Sequence, residues 1–208
     1  MKKYWWLGLV IVIIGVCGAL IWRAQSAVSC GRINGLSGRR ISAETLAKWK
    51  TNRDDIIIET RNNELYLQEA IGSNTVSLTS PEAVKSNFIL SMEIMSQTRS
   101  AIVEFKTVKN DGSADYVLTI KQNPLKTVAE LRYGLKLVQK TDLATMEAGR
   151  FYEILLKKSG SRLVVDMDGI PIIAAAVSPD GSGKIVISLQ GQPDHPAGIT
   201  IRNMRLYQ

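Results

Sequence analysis

The sequence predicts an all-β fold, an antiparallel sandwich of about twelve strands, preceded by one N-terminal transmembrane helix. Three observations predict it. A charge-free apolar run stands near the N-terminus, hydrophobic residues recur with a period of two after Trp49, and short polar turns with no long helical segment separate the recurring runs.

The anchor comes first. Leu7 to Ile21 carries no charge, and with Tyr4, Trp5, Trp6 and Trp22 it reaches about 19 residues, or roughly 28 Å of helix, which matches a bilayer core. Trp5, Trp6 and Trp22 lie where indole rings prefer the headgroup level, so the expectation is a retained signal-anchor in contact with the lipid bilayer. Ala24-Gln25-Ser26 is the competing cleavage signal. Lys2 and Lys3 precede the run while Arg23, Arg32, Arg39 and Arg40 follow it, so charge counting alone does not orient the chain. The charged N-terminal segment and the indifference of long domains to their own charge favour a single pass through a cytoplasmic (inner) membrane, with the C-terminal domain extracytoplasmic.

Residues 24–40 are rich in Gly, Ser and Arg and read as a linker, which leaves residues 41–208 as one domain. Ser42 is a candidate N-cap for one helical turn before Trp49. Strands are then expected at Ile56 to Thr60, Glu64 to Glu69, Thr75 to Thr79, Asn87 to Met95, Ala101 to Val108 and Tyr116 to Lys121. The set continues with Thr127 to Val138, Gly149 to Lys157, Arg162 to Asp168, Pro171 to Val177, Lys184 to Gln190 and Ile199 to Tyr207. Asp168-Gly169 supplies a tight hairpin, because both residues tolerate positive φ. The apolar parity changes from Ile199 and Ile201 to Met204 and Leu206, which predicts a bulge near Asn203.

Composition bounds the function. Taking Lys2, Lys3 and Arg23 from the 26 basic residues leaves 23 against 19 acidic, a net +4 spread along strands and loops. That dispersal, without a helix-turn-helix, zinc-finger or RNA-binding signature, argues against nucleic acid and leaves attraction to an anionic surface open. Of the two cysteines, Cys17 lies in the apolar run, so no disulfide within the domain is available. Cys30 is read as a juxtamembrane thiol, with lipidation or an intermolecular disulfide as the lesser readings.

Four segments resemble the concanavalin A-like jelly roll, in particular its laminin-G-like and 3-keto-disaccharide hydrolase-type domains. They are Trp49 before the strand pair ending Asn63-Glu64-Leu65-Tyr66-Leu67; Asn87-Phe88-Ile89-Leu90-Ser91-Met92-Glu93; Leu163 to Gly169; and Gly183 to Gln190 followed by Ile199 to Met204. The resemblance covers about residues 45 to 208 and implies a jelly-roll sandwich, a fold that hosts lectins, glycosidases and adhesion modules alike. Retaining glycosidases of this fold place two carboxylates on one strand. The strand taken to correspond carries Glu93 followed by Ile94, Met95, Ser96 and Gln97, so that acid pair is missing and no residue is singled out as catalytic.

Candidate ligand-binding residues are Arg99 with Glu104, and Tyr133 with Tyr152, which would form a polar and aromatic sugar platform; the competing reading is a salt-bridged strand surface. Asp166 and Asp168 are too few for a calcium site, His195 in Gln192-Pro193-Asp194-His195-Pro196 reads as a solvated turn residue, and His and Cys are too scarce for zinc, so no metal or cofactor is expected. The expected function is non-catalytic binding of glycan or another envelope polymer. A protein-interaction module of an envelope assembly is the alternative, and a glycoside-acting hydrolase a lesser one.

Overall fold

The computed structural model describes residues 38–69, 75–180, 182–192 and 195–208. The expected span from Tyr4 to Trp22, with Trp5, Trp6 and Trp22, and both cysteines lie outside them. Among the described residues no helix is long and apolar enough to cross a membrane.

Among the described residues, fifteen strands and one helical turn follow one another. β1 (Gly38–Arg40) leads into α1 (Ala43–Ala47), which Ser42 caps by accepting the Thr45 N–H at 3.2 Å. Then come β2 (Lys50–Thr51), β3 (Ile56–Arg61), β4 (Glu64–Glu69), β5 (Val76–Val84), β6 (Phe88–Ser96), β7 (Ala101–Val108) and β8 (Ala114–Gln122). The chain closes with β9 (Thr127–Tyr133), β10 (Lys136–Leu143), β11 (Phe151–Ser159), β12 (Arg162–Met167), β13 (Ile170–Ala176), β14 (Gly183–Gln190) and β15 (Gly198–Tyr207).

Two antiparallel sheets result. The eight-stranded sheet runs β13-β12-β11-β6-β15-β4-β3, with β1 taking the remaining length of β15 beside β4; the seven-stranded sheet runs β10-β9-β8-β7-β14-β5-β2. Alternation dictates the layering. On β7, Val103 and Phe105 face inward while Ile102, Glu104 and Lys106 face out, and on β6 Leu90, Met92 and Ile94 face inward while Ser91 and Glu93 face out. The two inner faces bury Leu65, Leu67, Leu118, Ile154, Leu163, Ile187 and Ile199 in one core, each large apolar side chain stabilising the fold by about 1.5–3 kcal/mol.

Fifteen strands stand where about twelve were expected. Two of the additions, β1 and β2, are too short for alternation to show, and β1 takes three residues from the expected linker. The third comes from Thr127 to Val138, which is not one strand. Gly134 at φ +56° turns the chain back, so β10 pairs with β9. Leu135 and Leu137 continue the odd-numbered alternation of Ala129 and Leu131, which hides the turn from a period-two reading.

Two local expectations agree with the structure. Asp168 and Gly169 have φ of +49° and +75° between β12 and β13. Asn203 has φ +53° where the β15–β6 register shifts between Arg202 and Arg205.

Candidate functional site

The outer face of the seven-stranded sheet carries a continuous polar row. Register places Lys140 beside Glu130, Glu130 beside Thr119, Thr119 beside Glu104, Glu104 beside Ser188 and Ser188 beside Ser77, one residue from each of six neighbouring strands. At about 4.8 Å per strand the row spans about 24 Å, the length of several sugar rings. It exists because each of these strands buries its alternate residues, such as Ala129, Leu118, Phe105 and Ile187, leaving the other parity free for polar groups.

The members of the row differ in how they are held. Lys121 Nζ at 2.8 Å and Arg132 at 3.2 Å bind Glu130 Oε2 and hold that carboxyl below the usual carboxylate range, Lys121 having the larger effect. Glu104 has no ion pair among the described residues and meets only the Thr119 hydroxyl, at 3.5 Å. Ser188 is buried beside it, and its Oγ has no hydrogen-bond partner among the described residues. The middle of the row therefore holds one carboxylate and one hydroxyl with unused hydrogen-bonding capacity, two strands from a locked ionic cluster. No aromatic side chain stands on this face among the described residues.

The outer face of the eight-stranded sheet carries a cluster whose groups meet one another. Arg202 lies over the Phe151 ring at 3.5 Å and donates to Glu93 Oε2 at 2.7 Å and Glu64 Oε1 at 3.1 Å; Asn203 donates to Glu93 Oε1 at 2.7 Å. The Asn203 amide, then Arg202, hold the Glu93 carboxyl below its usual range. Sequence reasoning reached Glu93 but missed this cluster, because Arg202, Phe151 and Glu64 come from three strands whose adjacency one sequence does not show.

The four residues expected to form a platform are not brought together. Glu104 stands at the centre of the seven-stranded sheet's outer face, and Arg99 is exposed in the β6–β7 turn. Tyr133 projects from the β9–β10 hairpin, 49% exposed. Tyr152 belongs to the other sheet and turns its ring inward, where its hydroxyl accepts the Glu147 N–H at 2.8 Å. Its β11 parity matches Ile154 and Leu156, and that was the available signal against a surface role.

Other candidates resolve similarly. Asp168 accepts from Glu153 N at 2.9 Å and Arg150 at 3.2 Å, and Asp166 is buried with Lys157 Nζ at 3.6 Å. His195 exchanges backbone hydrogen bonds with Gln192, while Asp194 lies outside the described residues. No group of three metal-ligating side chains occurs among the described residues.

This architecture defines the class, a two-sheet antiparallel jelly-roll β-sandwich. Solved structures agree. A protein of unknown function with a galectin-like fold from Bacillus subtilis superposes with a TM-score of 0.65 at 14% identity, covering 82% of this chain and 94% of its own. The carbohydrate-binding module CBM66 from Bacillus subtilis gives 0.59 at 12% identity, covering 76% and 94%. A prokaryotic β-1,3-1,4-glucanase (lichenase) from a mouse hindgut metagenome gives 0.62 at 11% identity, covering 83% and 98%. At such identities the likeness shows the fold alone. No family model matches the sequence, and no curated protein does.

Proposed function

We propose that the chain is a membrane-tethered, extracytoplasmic β-sandwich that binds an envelope glycan on the outer face of its seven-stranded sheet without cleaving it. The observation that carries this reading is the row Glu130–Thr119–Glu104–Ser188, in which a free carboxylate stands beside a buried, unpartnered hydroxyl. Glu104, half-buried and without an ion pair among the described residues, suits a sugar hydroxyl as its donor, with the buried Thr119 and Ser188 hydroxyls flanking it. The likeness to a carbohydrate-binding module and to a glucanase supports sugar as the ligand class. The tether is the apolar run from Tyr4 to Trp22.

The acid pair that retaining glycosidases of this fold place on one strand is missing, since β6 carries Glu93 as its only carboxylate. Asn203 and Arg202 occupy both oxygens of Glu93 and hold it below its usual range. Binding without turnover is what the arrangement supports. A screen of the domain from Gly38 to Gln208 against cell-envelope polysaccharides tests it: the expected result is saturable binding to one glycan class with no release of reducing ends. Silence across the panel would send the search to a protein partner.

A further inference from the structure

The tip of the β9–β10 hairpin is built unlike the rest of the surface. Seven large hydrophobic residues are exposed among the described ones, and four of them fall within Tyr133 to Val138: Tyr133 at 49%, Leu135 at 98%, Leu137 at 46% and Val138 at 38%. Scattered apolar residues are ordinary on a protein surface, but a run of them on one projecting turn is not. Gly134 sets the turn with φ +56°, and nothing lies within 4 Å of where its Cβ would be.

The charge along the hairpin itself has one sign, while the acids at the neighbouring β7–β8 turn, Asp111 and Asp115, lie against Lys109. From Arg132 to Lys140 the chain reads Arg-Tyr-Gly-Leu-Lys-Leu-Val-Gln-Lys, with three cations and no acid. Arg132 shares Glu130 with Lys121, whereas Lys136 and Lys140 have no carboxylate partner among the described residues. Apolar and aromatic side chains interleaved with Lys and Arg suit the boundary where acyl chains meet anionic headgroups, the rings and aliphatic groups entering and the cations staying at the phosphates.

Register places the tip at a telling end of the sandwich. Val108 at the end of β7 pairs with Ala114 and lies beside Gly183, and Gly183 pairs with Val84. The β5–β6 turn then leads to Phe88 and Ile89, and Ile89 pairs with Tyr207, which pairs with Gly38. The hairpin tip, the C-terminus and the first described residue therefore share one end. The chain before Gly38 holds 37 residues, including the apolar run, and it enters the domain at that end.

We infer that the β9–β10 hairpin is a second membrane contact, seating Leu135, Tyr133 and Leu137 in the interface of an anionic phospholipid bilayer while Lys136 and Lys140 meet its phosphates. The inference rests on the tether of the proposed function. It assigns Tyr133 to lipid, and it leaves the polar row of the seven-stranded sheet standing across the membrane surface, open to an envelope polymer.

The test uses the full chain, with Cys17→Ser and Cys30→Ser, reconstituted into phosphatidylcholine vesicles with and without phosphatidylglycerol. A nitroxide is placed at Leu135→Cys or, at the opposite end, at the exposed Leu125→Cys, and its collisions with oxygen and with a water-soluble nickel chelate are measured. On anionic vesicles the label at 135 loses nickel collisions and gains oxygen collisions relative to 125, and both changes shrink on phosphatidylcholine alone. Equal, water-like accessibility at the two positions on protein that floats with the vesicles overturns the hairpin contact and leaves the tether intact. Failure to float with vesicles overturns the tether and the hairpin contact together. Shielding at 135 that is identical on the two lipid mixtures, or that fades as protein is diluted into lipid, overturns the assignment to anionic headgroups, the second case marking contact between copies.

Discussion

Lys158 donates to three carbonyl oxygens from three different turns, Ser86 at 3.0 Å, Gly160 at 3.1 Å and Pro179 at 3.2 Å, while only 2% of it is exposed. Burial lowers its pKa, yet the three acceptors keep a charged ammonium tolerable there and bind the turns to one another. Replacing it by Met would strand the three carbonyls; the expected cost is about 2 kcal/mol or more, read by urea denaturation. Glu69 is the acidic counterpart, fully buried at the opposite end, with Oε1 accepting the Ala197 N–H at 2.8 Å and Oε2 without a partner among the described residues. Burial raises its pKa, so the folded state holds this proton more tightly than the unfolded one. Its stabilising contribution is complete below the unfolded carboxyl range and is lost as pH rises through the folded value. Glu69→Gln should therefore flatten the pH dependence of stability between the unfolded carboxyl range and the raised folded value, and be more stable than the parent above it; an unchanged slope in that window would refute the assignment. Both residues were legible in outline, since Lys158 follows Ile154 and Leu156, and Glu69 follows Leu65 and Leu67, at inward parity. What a sequence cannot supply is the partner set, because the acceptors come from residues distant along the chain.

At the scale of elements, turn chemistry was readable wherever it interrupted a pattern. Asp168-Gly169 separates two apolar runs and Asn203 marks a change of parity, and both adopt positive φ. Asn203→Ala removes a side chain tolerant of that conformation together with its bond to Glu93, and should cost about 1–2 kcal/mol in a thermal or urea melt, with Asn203→Gly costing less. Gly134 was missed for the opposite reason, since Leu135 and Leu137 carry the alternation straight through it. Nothing lies within 4 Å of a Cβ built at Gly134, so the penalty of Gly134→Ala is backbone strain, about 1–2 kcal/mol. Gly183 differs again: its φ is ordinary, but a methyl there would meet Val108 O at 2.7 Å, so Gly183→Ala should destabilise by forcing β14 away from β7. Neither the spacing nor the composition of the sequence announces that close approach.

For the whole molecule, the sandwich was legible because each sheet has one buried face, and a period of two is how a buried face is written along a strand. The strand count fell short where strands of two or three residues carry no period, as at β1 and β2. The polar row was legible in only one of its members. Glu104 could be picked out as a carboxylate on a strand, but its neighbours Thr119 and Ser188 lie 15 and 84 positions away and meet it only through the order β8-β7-β14. The expected aromatic platform failed for the same reason, its two tyrosines falling on different sheets. The polar row also predicts a division of labour between faces: substitutions at Glu104 or Ser188 should affect binding, and substitution of Arg202, whose partners are all internal, should affect stability. The measurement that tests the central claim most directly is a calorimetric titration of the bound glycan into the parent domain, Glu104→Ala and Arg202→Ala, with the products of each mixture then analysed. The account predicts a loss of affinity of about tenfold or more for Glu104→Ala, near-parent affinity for Arg202→Ala, and intact glycan in every case. Parent-like affinity in Glu104→Ala, or shortened glycan chains in the parent mixture, would contradict it.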